Sequence, residues 1–494
     1  MRCLLFFLAA SCSFGQSQPA VSIDSGSISG IDTADVRAWL GIPYAAPPVG
    51  DLRWRAPQPA AHWQGVRAAD KVGPACIQAM LGGRAAGNAP QSEDCLTVNV
   101  WAPKEARQLA VMVWIHGGAF VQGTGGSPYY SGASLAHKGV VVVTLNYRLG
   151  DLGFFAHPEL SSESPGQPAG NFGLLDQIAA LRWVRKNIAA FGGDPRKVTL
   201  FGESAGAMSI YLLMTSPEAR PLFARAIAES GPILGPTRSL AQLQRSSEDR
   251  ARAWGAADLP ALRALPAQTF AHSALPAGPV VDGKLVPEEP RTAFAEGRQA
   301  AVPLLIGANS FEASLMVLLG ISENAVLSAA SGVGAETLHQ FYGDDRRRQA
   351  QQLFTDTGFL EPTRYLAARM EKLSQPAYLY YFSYVAERNR ARAPGVAHGG
   401  EILYVFDNPP AAALASLVTE ADSKMADTVS TYWVNFAKTG NPNGAGLPEW
   451  PAYRATTDRL LELGPEIAVR EHFRKPQLDR IEQVRASNEA GKAK

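Results

Sequence analysis

Neither sign of charge predominates in this sequence. Its 494 residues include 46 Lys and Arg against 45 Asp and Glu, which leaves a formal net charge of +1. A chain this close to neutral has no overall field that would draw it to nucleic acid or to an anionic membrane surface. The composition therefore predicts no nucleic-acid partner.

The sequence also lacks internal repeats, a phosphate-binding glycine loop and any apolar run long enough to span a membrane. Its first residues carry one positive charge at Arg2, then a short apolar run, then small and polar residues. This pattern is typical of a secretory signal peptide. We therefore expect residues 1–17 to direct export, to the periplasm or out of the cell, and residues 18–494 to form a single domain.

Cysteine is scarce, with four in the whole chain. Cys3 and Cys12 fall in the predicted signal peptide, where lipidation of Cys12 is an alternative fate, although Ala9 stands where lipoprotein signals usually carry Leu or Val. Cys76 and Cys95 are then the remaining pair, and an exported protein with two cysteines most simply joins them. The sequence predicts a Cys76–Cys95 disulfide.

Apolar residues are abundant, at 46% of the chain, and their spacing indicates the fold class. Residues 96–101, 111–115 and 140–145 are short, β-branched runs typical of strands buried on both faces. Apolar positions recur every three or four residues across 174–188, as in an amphipathic helix. The alternation of strand and helix predicts an α/β fold with a large, mostly parallel sheet covered by helices. Residues 21–30 alternate around a turn and predict a leading antiparallel hairpin.

The later part of the chain continues this pattern. Further strands are predicted at 224–229, 302–306 and 377–384, and a helix at 421–438. The tail after Arg485 is small and charged, and we expect it to fray.

Residues 198–207 (VTLFGESAGA) predict a strand, a sharp turn and a helix, with Ser204 at the apex. Gly202 and Gly206 lie two residues either side of Ser204, where any side chain would collide as strand and helix fold back on each other. The N–H of Ala205 would point at an oxygen that becomes negative when Ser204 attacks a carbonyl. The pattern, Gly-x-Ser-x-Gly, is a nucleophile elbow and predicts Ser204 as the nucleophile.

A serine hydroxyl needs a base, and four histidines follow it in the chain: His272, His339, His398 and His472. His398 stands in a glycine-flanked loop (PGVAHGGE, residues 394–401) that leads into an apolar run, whereas the others lie before the candidate acids or in helical and charged surroundings. We predict His398 as the base. A histidine base predicts that activity falls on acidification through an apparent pKa near ~6–7.

The acid that orients this histidine is not decided by the residues alone. Asp282 and Glu312 both follow predicted strands, and either carboxylate would orient an imidazole. Both remain candidates at this point.

Residues 116–120 (HGGAF) follow directly on the predicted strand 111–115. Glycine lets the backbone come close to a reacting oxygen. The N–H groups of Gly118, Ala119 and Ala205 therefore predict a three-donor oxyanion hole, in which one donor is typically worth roughly 3–4 kcal/mol of barrier. His116 is predicted to be a structural hydrogen-bonding residue and not a catalyst.

Together these segments resemble the type B carboxylesterase and cholinesterase family of α/β-hydrolases over nearly the whole mature chain. The matching segments are 41–44 (GIPY), 92–96 (SEDCL), 116–118 (HGG), 146–150 (NYRLG), 170–177 (GNFGLLDQ), 191–195 (FGGDP) and 201–206 (FGESAG). The resemblance implies an α/β-hydrolase fold, Ser204 as nucleophile and His398 as base. It implies Glu312 as the acid, in the family's Gly-x-Asn-x-x-Glu pattern, in place of Asp282.

The resemblance has further implications and some exceptions. It implies that Cys76 and Cys95 form the family's first disulfide, and it places Glu203 and Ser230 in a supporting polar network. Ala119 stands where the family usually has a third glycine. The Cys76–Cys95 loop has no aromatic residue, whereas cholinesterases carry a choline-binding tryptophan there, so a cationic head group would lose its cation–π partner.

We therefore expect an exported serine esterase that hydrolyses neutral, small to medium esters through an acyl-enzyme. No cofactor or metal is implied, and the sequence gives no indication of oligomeric state. A lipase acting on long-chain esters is an alternative. A non-catalytic binding module is another, and the intact Ser204, Glu312 and His398 count against it.

Overall fold

The computed structural model describes residues 20–78, 90–164, 166, 169–233, 237–256, 258–272, 278–408 and 417–492. The predicted signal peptide, with Cys12, lies outside these ranges. Within them, no helix is both long enough and apolar enough to cross a membrane.

The described strands occupy the short apolar runs and the segments between them. In chain order they are β1 Ala20–Ile23, β2 Gly26–Ser29, β3 Ile31–Asp32, β4 Val36–Pro43, β5 Val66–Ala68, β6 Ala75–Cys76, β7 Gln91–Ser92, β8 Thr97–Pro103, β9 Leu109–Ile115, β10 Val141–Leu145, β11 Gly193–Glu203, β12 Arg225–Glu229, β13 Leu304–Asn309, β14 Ala377–Phe382, β15 Arg459–Leu463 and β16 Ile467–Glu471.

Most of these strands join one large mixed sheet. Eleven strands lie in the order β16-β15-β14-β13-β12-β11-β9-β10-β8-β4-β3. The run from β15 to β10 is parallel throughout, and antiparallel strands border it on both sides. The prediction of a large, mostly parallel sheet is confirmed, and the leading hairpin forms from β1 and β2.

The α-helices mostly follow the strands as crossover connections. They are α1 Ala133–His137, α2 Gly150–Gly153, α3 Pro158–Glu163, α4 Phe172–Asn187, α5 Ala205–Thr215, α6 Leu240–Ala253, α7 Leu259–Ala264, α8 Pro290–Ala295, α9 Ser314–Leu318, α10 Glu323–Ala329, α11 Ala335–Tyr342, α12 Arg346–Thr355, α13 Glu361–Met370, α14 Ile402–Val405, α15 Glu420–Thr439 and α16 Lys475–Lys492.

Strand β9 shows how the sheet is covered on both faces. Val113 belongs to a core cluster that includes Ile178 of α4, whereas its neighbour Trp114 belongs to a second cluster that includes Val429 of α15. Because successive strand side chains point to opposite faces, helices must pack on both sides of the sheet. This double burial explains the continuous apolar composition of β9 and its neighbours.

Two predicted boundaries are wrong. Strand β11 begins at Gly193, five residues before Val198, with a register shift between them that local pattern does not reveal. The C-terminal tail does not fray after Arg485 but continues as helix α16. The Arg485 guanidinium donates hydrogen bonds to the backbone carbonyls of Thr357 and Ile233, so tertiary contacts hold this helix in place.

The structure joins Cys76 to Cys95, both of which are buried. Next to the bridge, the Gln78 side chain donates to the carbonyl of Gly123 at 2.9 Å and accepts from its N–H at 2.8 Å. The disulfide region is therefore tied to the glycine-rich loop that follows β9.

We expect the folded protein to contain this disulfide. Cys76 and Cys95 are 19 residues apart, and closing a loop of that size stabilises the folded state by roughly 3 kcal/mol in the chain-entropy model. Peptide mapping without reduction should recover the linked pair, and chemical denaturation after reduction should show the lower free energy of unfolding. Two alkylatable thiols in native protein would contradict the prediction.

Candidate functional site

Ser204 occupies the tight turn between β11 and α5. Its backbone has φ +56° and ψ −120°, a sparsely populated conformation that costs on the order of 1–3 kcal/mol. The Ser204 N–H donates to the carbonyl of Glu229 on β12 at 2.9 Å. A Cβ atom at Gly206 would lie 1.9 Å from the Ile115 carbonyl oxygen, and one at Gly202 would lie 2.6 Å from it. The two glycines are therefore required by the close approach of α5 to β9.

The glycine loop after β9 has a run of positive φ angles. Gly118, Ala119 and Phe120 have φ of +106°, +54° and +61°. The Gly118 carbonyl accepts from the N–H groups of Val121 and Gln122, both at 3.1 Å, which closes the turn. Ala119 holds a left-handed conformation at a cost of roughly 1–2 kcal/mol, which explains why glycine is usual at this position.

Three backbone N–H groups of the elbow and the glycine loop have no hydrogen-bond partner among the described residues. A Cβ atom at Gly117 would lie 3.1 Å from the Ser204 Cβ, so this loop lies directly against the elbow. Within the described part of the chain, the N–H groups of Gly118, Ala119 and Ala205 donate no hydrogen bond. These are the three donors that the sequence predicts for an oxyanion hole. Unsatisfied backbone donors are rare in folded proteins and mark a place for an acceptor.

The structure brings His398 and Glu312 together. The His398 Nδ1 lies 2.6 Å from Glu312 Oε2, and Glu312 also accepts from the Asn309 N–H at 2.7 Å. The His398 N–H donates to Ser314 Oγ at 2.9 Å, which fixes the loop that carries the imidazole. On the other side of the ring, Nε2 lies 3.0 Å from Glu203 Oε1.

The alternative acid, Asp282, is engaged elsewhere. Its carboxylate accepts from Asn171 Nδ2 at 2.8 Å and from the N–H groups of Lys284 and Val286 at 2.9 and 3.0 Å. Asp282 therefore stabilises a local turn and does not contact the His398 ring.

Three other histidines, His339, His472 and His116, lie in different surroundings from His398. His339 and His472 are exposed and lie beside Asp344 and Asp458. His116 is fully buried and stacks on Tyr147, and burial lowers its pKa to about 4. It stays neutral and shapes the glycine loop, as the sequence predicts.

Four buried carboxyl groups lie close enough to one another at the site to interact electrostatically. Glu203, Glu229, Glu312 and Glu401 are each at most 5% exposed. Glu401 accepts from Ser230 Oγ at 3.1 Å and from Asn309 Nδ2, and Glu229 accepts from Trp433 Nε1 at 2.7 Å. Among the described residues no Lys or Arg forms an ion pair with any of the four, and His398 is the charged partner of Glu203 and Glu312.

Burial and mutual repulsion shift the pKa values of this cluster. Burial raises the pKa of Glu203 to about 8, against the attraction of His398, and that of Glu401 to about 7. Burial also raises the pKa of Glu229 well above its usual range. Burial lowers the pKa of His398, but the charges of Glu203 and Glu312 outweigh it and raise the value to about 9. Glu203 and His398 therefore titrate together, at higher pH than the sequence predicts for an isolated histidine.

Sequence reasoning did not find Asn309, Glu229 and Glu401 as members of the site. Asn309 and Glu401 had local signals, since one lies three residues before Glu312 and the other three residues after His398. Glu229 had none, because its contact with Trp433 joins residues 204 positions apart. Within the described residues no group of three or more His, Cys, Asp or Glu is arranged to hold a metal ion.

Comparisons with known proteins agree with this geometry. The model of the carboxylesterase family matches residues 17–340 and 335–481. The chain is 39% identical over 462 residues to a fumonisin B1 esterase of Sphingopyxis macrogoltabida, covering 87% of this chain and 83% of that protein. It is 37% identical over 478 residues to a para-nitrobenzyl esterase of Bacillus subtilis (strain 168), covering 91% and 95%.

A solved structure of a PNB esterase superposes with a TM-score of 0.83 at 35% identity, covering 94% of this chain and 99% of that one. The matches thus extend over nearly all of the sheet and its helices. The protein belongs to the carboxylesterase family and is an ester-hydrolysing enzyme with the α/β-hydrolase fold.

Proposed function

We propose that the enzyme hydrolyses carboxylic esters through an acyl-enzyme formed on Ser204. The observation that carries the proposal is the set of unpaired N–H groups of Gly118, Ala119 and Ala205 at the elbow. Donors fixed in this way stabilise the negative oxygen of a tetrahedral intermediate without reorganising. The proximity of His398 to Glu312 supports the same assignment.

In this mechanism His398 Nε2 takes the proton of the Ser204 hydroxyl as its oxygen attacks the ester carbonyl. Glu312 accepts the hydrogen bond from Nδ1 and stabilises the imidazolium that forms. The imidazolium then gives its proton to the leaving alcohol, and the acyl group stays on Ser204. Water, deprotonated by the same imidazole, attacks the acyl-enzyme, releases the acid and restores Ser204.

Glu203 and Ser230 support this machinery without touching the ester. Ser230 holds Glu401 through its hydroxyl, and Glu203 borders the imidazole at Nε2. The Cys76–Cys95 loop has no aromatic residue, which favours neutral esters of small to medium size over cationic ones.

A lipase remains the second candidate because of one surface feature. Helix α9, which begins two residues after Glu312, exposes Val317 by 88% and Leu318 by 43%. Apolar residues exposed next to a site suit contact with an aggregated substrate. Such an enzyme would show a jump in rate when the ester exceeds its solubility limit.

The proposal includes export of residues 18–494, to the periplasm or the medium. The Arg2-apolar-polar order at the start and a disulfide in the folded chain support it. Lipidation at Cys12 would instead leave the same domain tethered to a membrane surface.

Substitution of the proposed catalytic residues tests the mechanism. Ser204→Ala and His398→Ala should each lower kcat by on the order of 10⁴–10⁶, because the two groups act as one unit. Glu312→Gln should be strongly impaired, while the matched Asp282→Asn should keep its kcat, since Asp282 holds a distant turn. A tenth of wild-type activity in either the Ser204 or the His398 variant contradicts the nucleophile–base pair. A crippled Asp282→Asn beside an active Glu312→Gln contradicts the acid.

The preference for neutral esters is tested with an isosteric pair. We expect kcat/KM for 3,3-dimethylbutyl acetate to exceed that for acetylcholine, because a bound cation would be desolvated without a partner. The comparison is made across pH 5 to 9 on one enzyme preparation. A strong preference for acetylcholine would reveal a cation site and overturn the assignment.

The pH dependence of the protein's stability should reveal the raised pKa of the buried Glu229. Because its pKa is raised, it stays protonated in the folded protein at pH values where it ionises in the unfolded chain, above its ordinary 4.5. The folded state then binds more protons, so this residue's contribution to stability is full below that pH and declines as pH rises. Glu229→Gln keeps an acceptor for Trp433 and does not titrate. Its Tm relative to wild type should therefore increase from pH 5 to pH 8, while the exposed Glu218→Gln shows no such trend. A constant difference would refute the prediction.

A further inference from the structure

Helices α12 and α13 are joined by a π-helical turn at Asp356–Leu360. Such turns interrupt the regular helical hydrogen bonding and persist where other contacts compensate. Here the Gly358 carbonyl accepts from the Ile233 N–H at 2.9 Å, and the Thr357 carbonyl accepts from the Arg485 guanidinium. The irregular backbone is thus held by the segment after β12 and by helix α16.

Asp356, the first residue of the π-helical turn, is also held by several contacts. Asp356 is 1% exposed, and its Oδ2 accepts from the Tyr342 hydroxyl at 2.8 Å and from Arg474 Nη2 at 2.7 Å. Tyr342 ends α11, and Arg474 lies just before α16. Contacts from three other elements therefore fix the turn, which argues that its position matters.

The turn presents the Phe359 ring to the catalytic imidazole. Phe359 is fully buried, and its ring centroid lies 5.6 Å from that of His398 at an interplanar angle of 64°. The Glu312 carboxylate also holds the ring at Nδ1, Glu203 borders it at Nε2, and the His398 backbone N–H donates to the Ser314 hydroxyl. Phe359 supplies the side-on contact that resists rotation of the ring about its bond to Cβ.

The orientation of the His398 ring matters because Glu203 competes with the Ser204 hydroxyl for Nε2. The mechanism requires Nε2 to face the Ser204 hydroxyl, but Glu203 Oε1 already lies 3.0 Å from it. The titratable groups facing the imidazole are Glu203 from β11, Glu312 after β13 and Glu401 from its own loop, whereas the π-helical turn contributes an uncharged ring.

We propose that Phe359, fixed by the π-helical turn, is a positioning residue that limits rotation of the His398 ring, so that Nε2 can still reach Ser204 in catalysis although it lies beside Glu203. The proposal rests on the proposed roles of Ser204 and His398. It makes the segment Asp356–Leu360, together with Arg474 and Arg485, part of the support of the catalytic base, although none of these residues contacts the ester.

The test is the pH dependence of kcat/KM for phenyl acetate in wild type, Phe359→Leu and Phe354→Leu. Without the ring, kcat of Phe359→Leu should fall about ten-fold or more, because a misplaced base loses alignment, while KM changes little. The apparent pKa of the acidic limb of the kcat/KM profile should rise by about half a pH unit or more. The reason is that the imidazolium of the variant pairs more closely with the Glu203 carboxylate.

Phe354→Leu is the matched control. Phe354 is 4% exposed and lies in the last turn of α12. It packs on Phe359 at a centroid distance of 5.9 Å and makes no ring contact with His398. Its truncation should cost a similar loss of Tm but leave the acidic limb where it is in wild type. If the acidic limb has the same apparent pKa in both variants, the proposal is overturned, because the loss of any packing side chain would then explain the effect of Phe359→Leu.

Two further measurements complete the test. Glu203→Gln removes the competing carboxylate, so adding Phe359→Leu to this variant should no longer shift the apparent pKa of the acidic limb. A shift that persists contradicts the role given to Glu203. Phe359→Met, which keeps volume without a planar ring, replaces Phe359→Leu if the latter does not fold. A wild-type profile without an acidic limb would instead refute His398 as the base, which is a failure of the proposed function and not of Phe359 alone.

Discussion

The close contact between the start of α5 and the end of β9 is the constraint on which the site depends. Gly206 lies so near the Ile115 carbonyl that no other residue fits, and Gly202 shares this restriction. The contact forces the chain to reverse at Ser204, whose N–H is then held by the Glu229 carbonyl on the neighbouring strand. The same reversal leaves the Ala205 N–H without a hydrogen-bond partner among the described residues. Ser204 and the glycine loop thus meet at one packed junction.

Around this junction the described residues bury four carboxyl groups, of which two, Glu203 and Glu312, pair with the His398 imidazole. Burial and mutual repulsion raise the pKa values of Glu203, Glu229 and Glu401. Hydrogen bonds from Trp433, Ser230 and Asn309 stabilise individual members. Such an arrangement is costly unless every group has a partner, and it makes the position of the His398 ring sensitive to its neighbours. The support given by Phe359 follows from that sensitivity.

Much of this architecture could be predicted from local pattern. The strands around β9 to β14, helix α4 and helix α15 follow from apolar runs and 3.6-residue spacing, since both faces of the sheet are buried. The start of β11 and the final helix were missed because register shifts and the Arg485 contacts join residues far apart in the chain. Strands β15 and β16 were not predicted either, because they form through pairing with each other and with β14 and not from a strong local pattern.

By itself, the sequence determined the elbow at Ser204, the glycine loop and the resemblance that singled out His398 and Glu312, because steric needs and spacing are local properties. It left Asp282 and Glu312 both open on chemical grounds. Only the tertiary structure placed Glu312, and not Asp282, beside His398. It also brought Glu229 and Glu401 into one buried carboxyl cluster and packed Phe359 against the imidazole. Those relations depend on strand register and on a π-helical turn held from three sides. Charge regulation and ring orientation are therefore properties of the assembled fold.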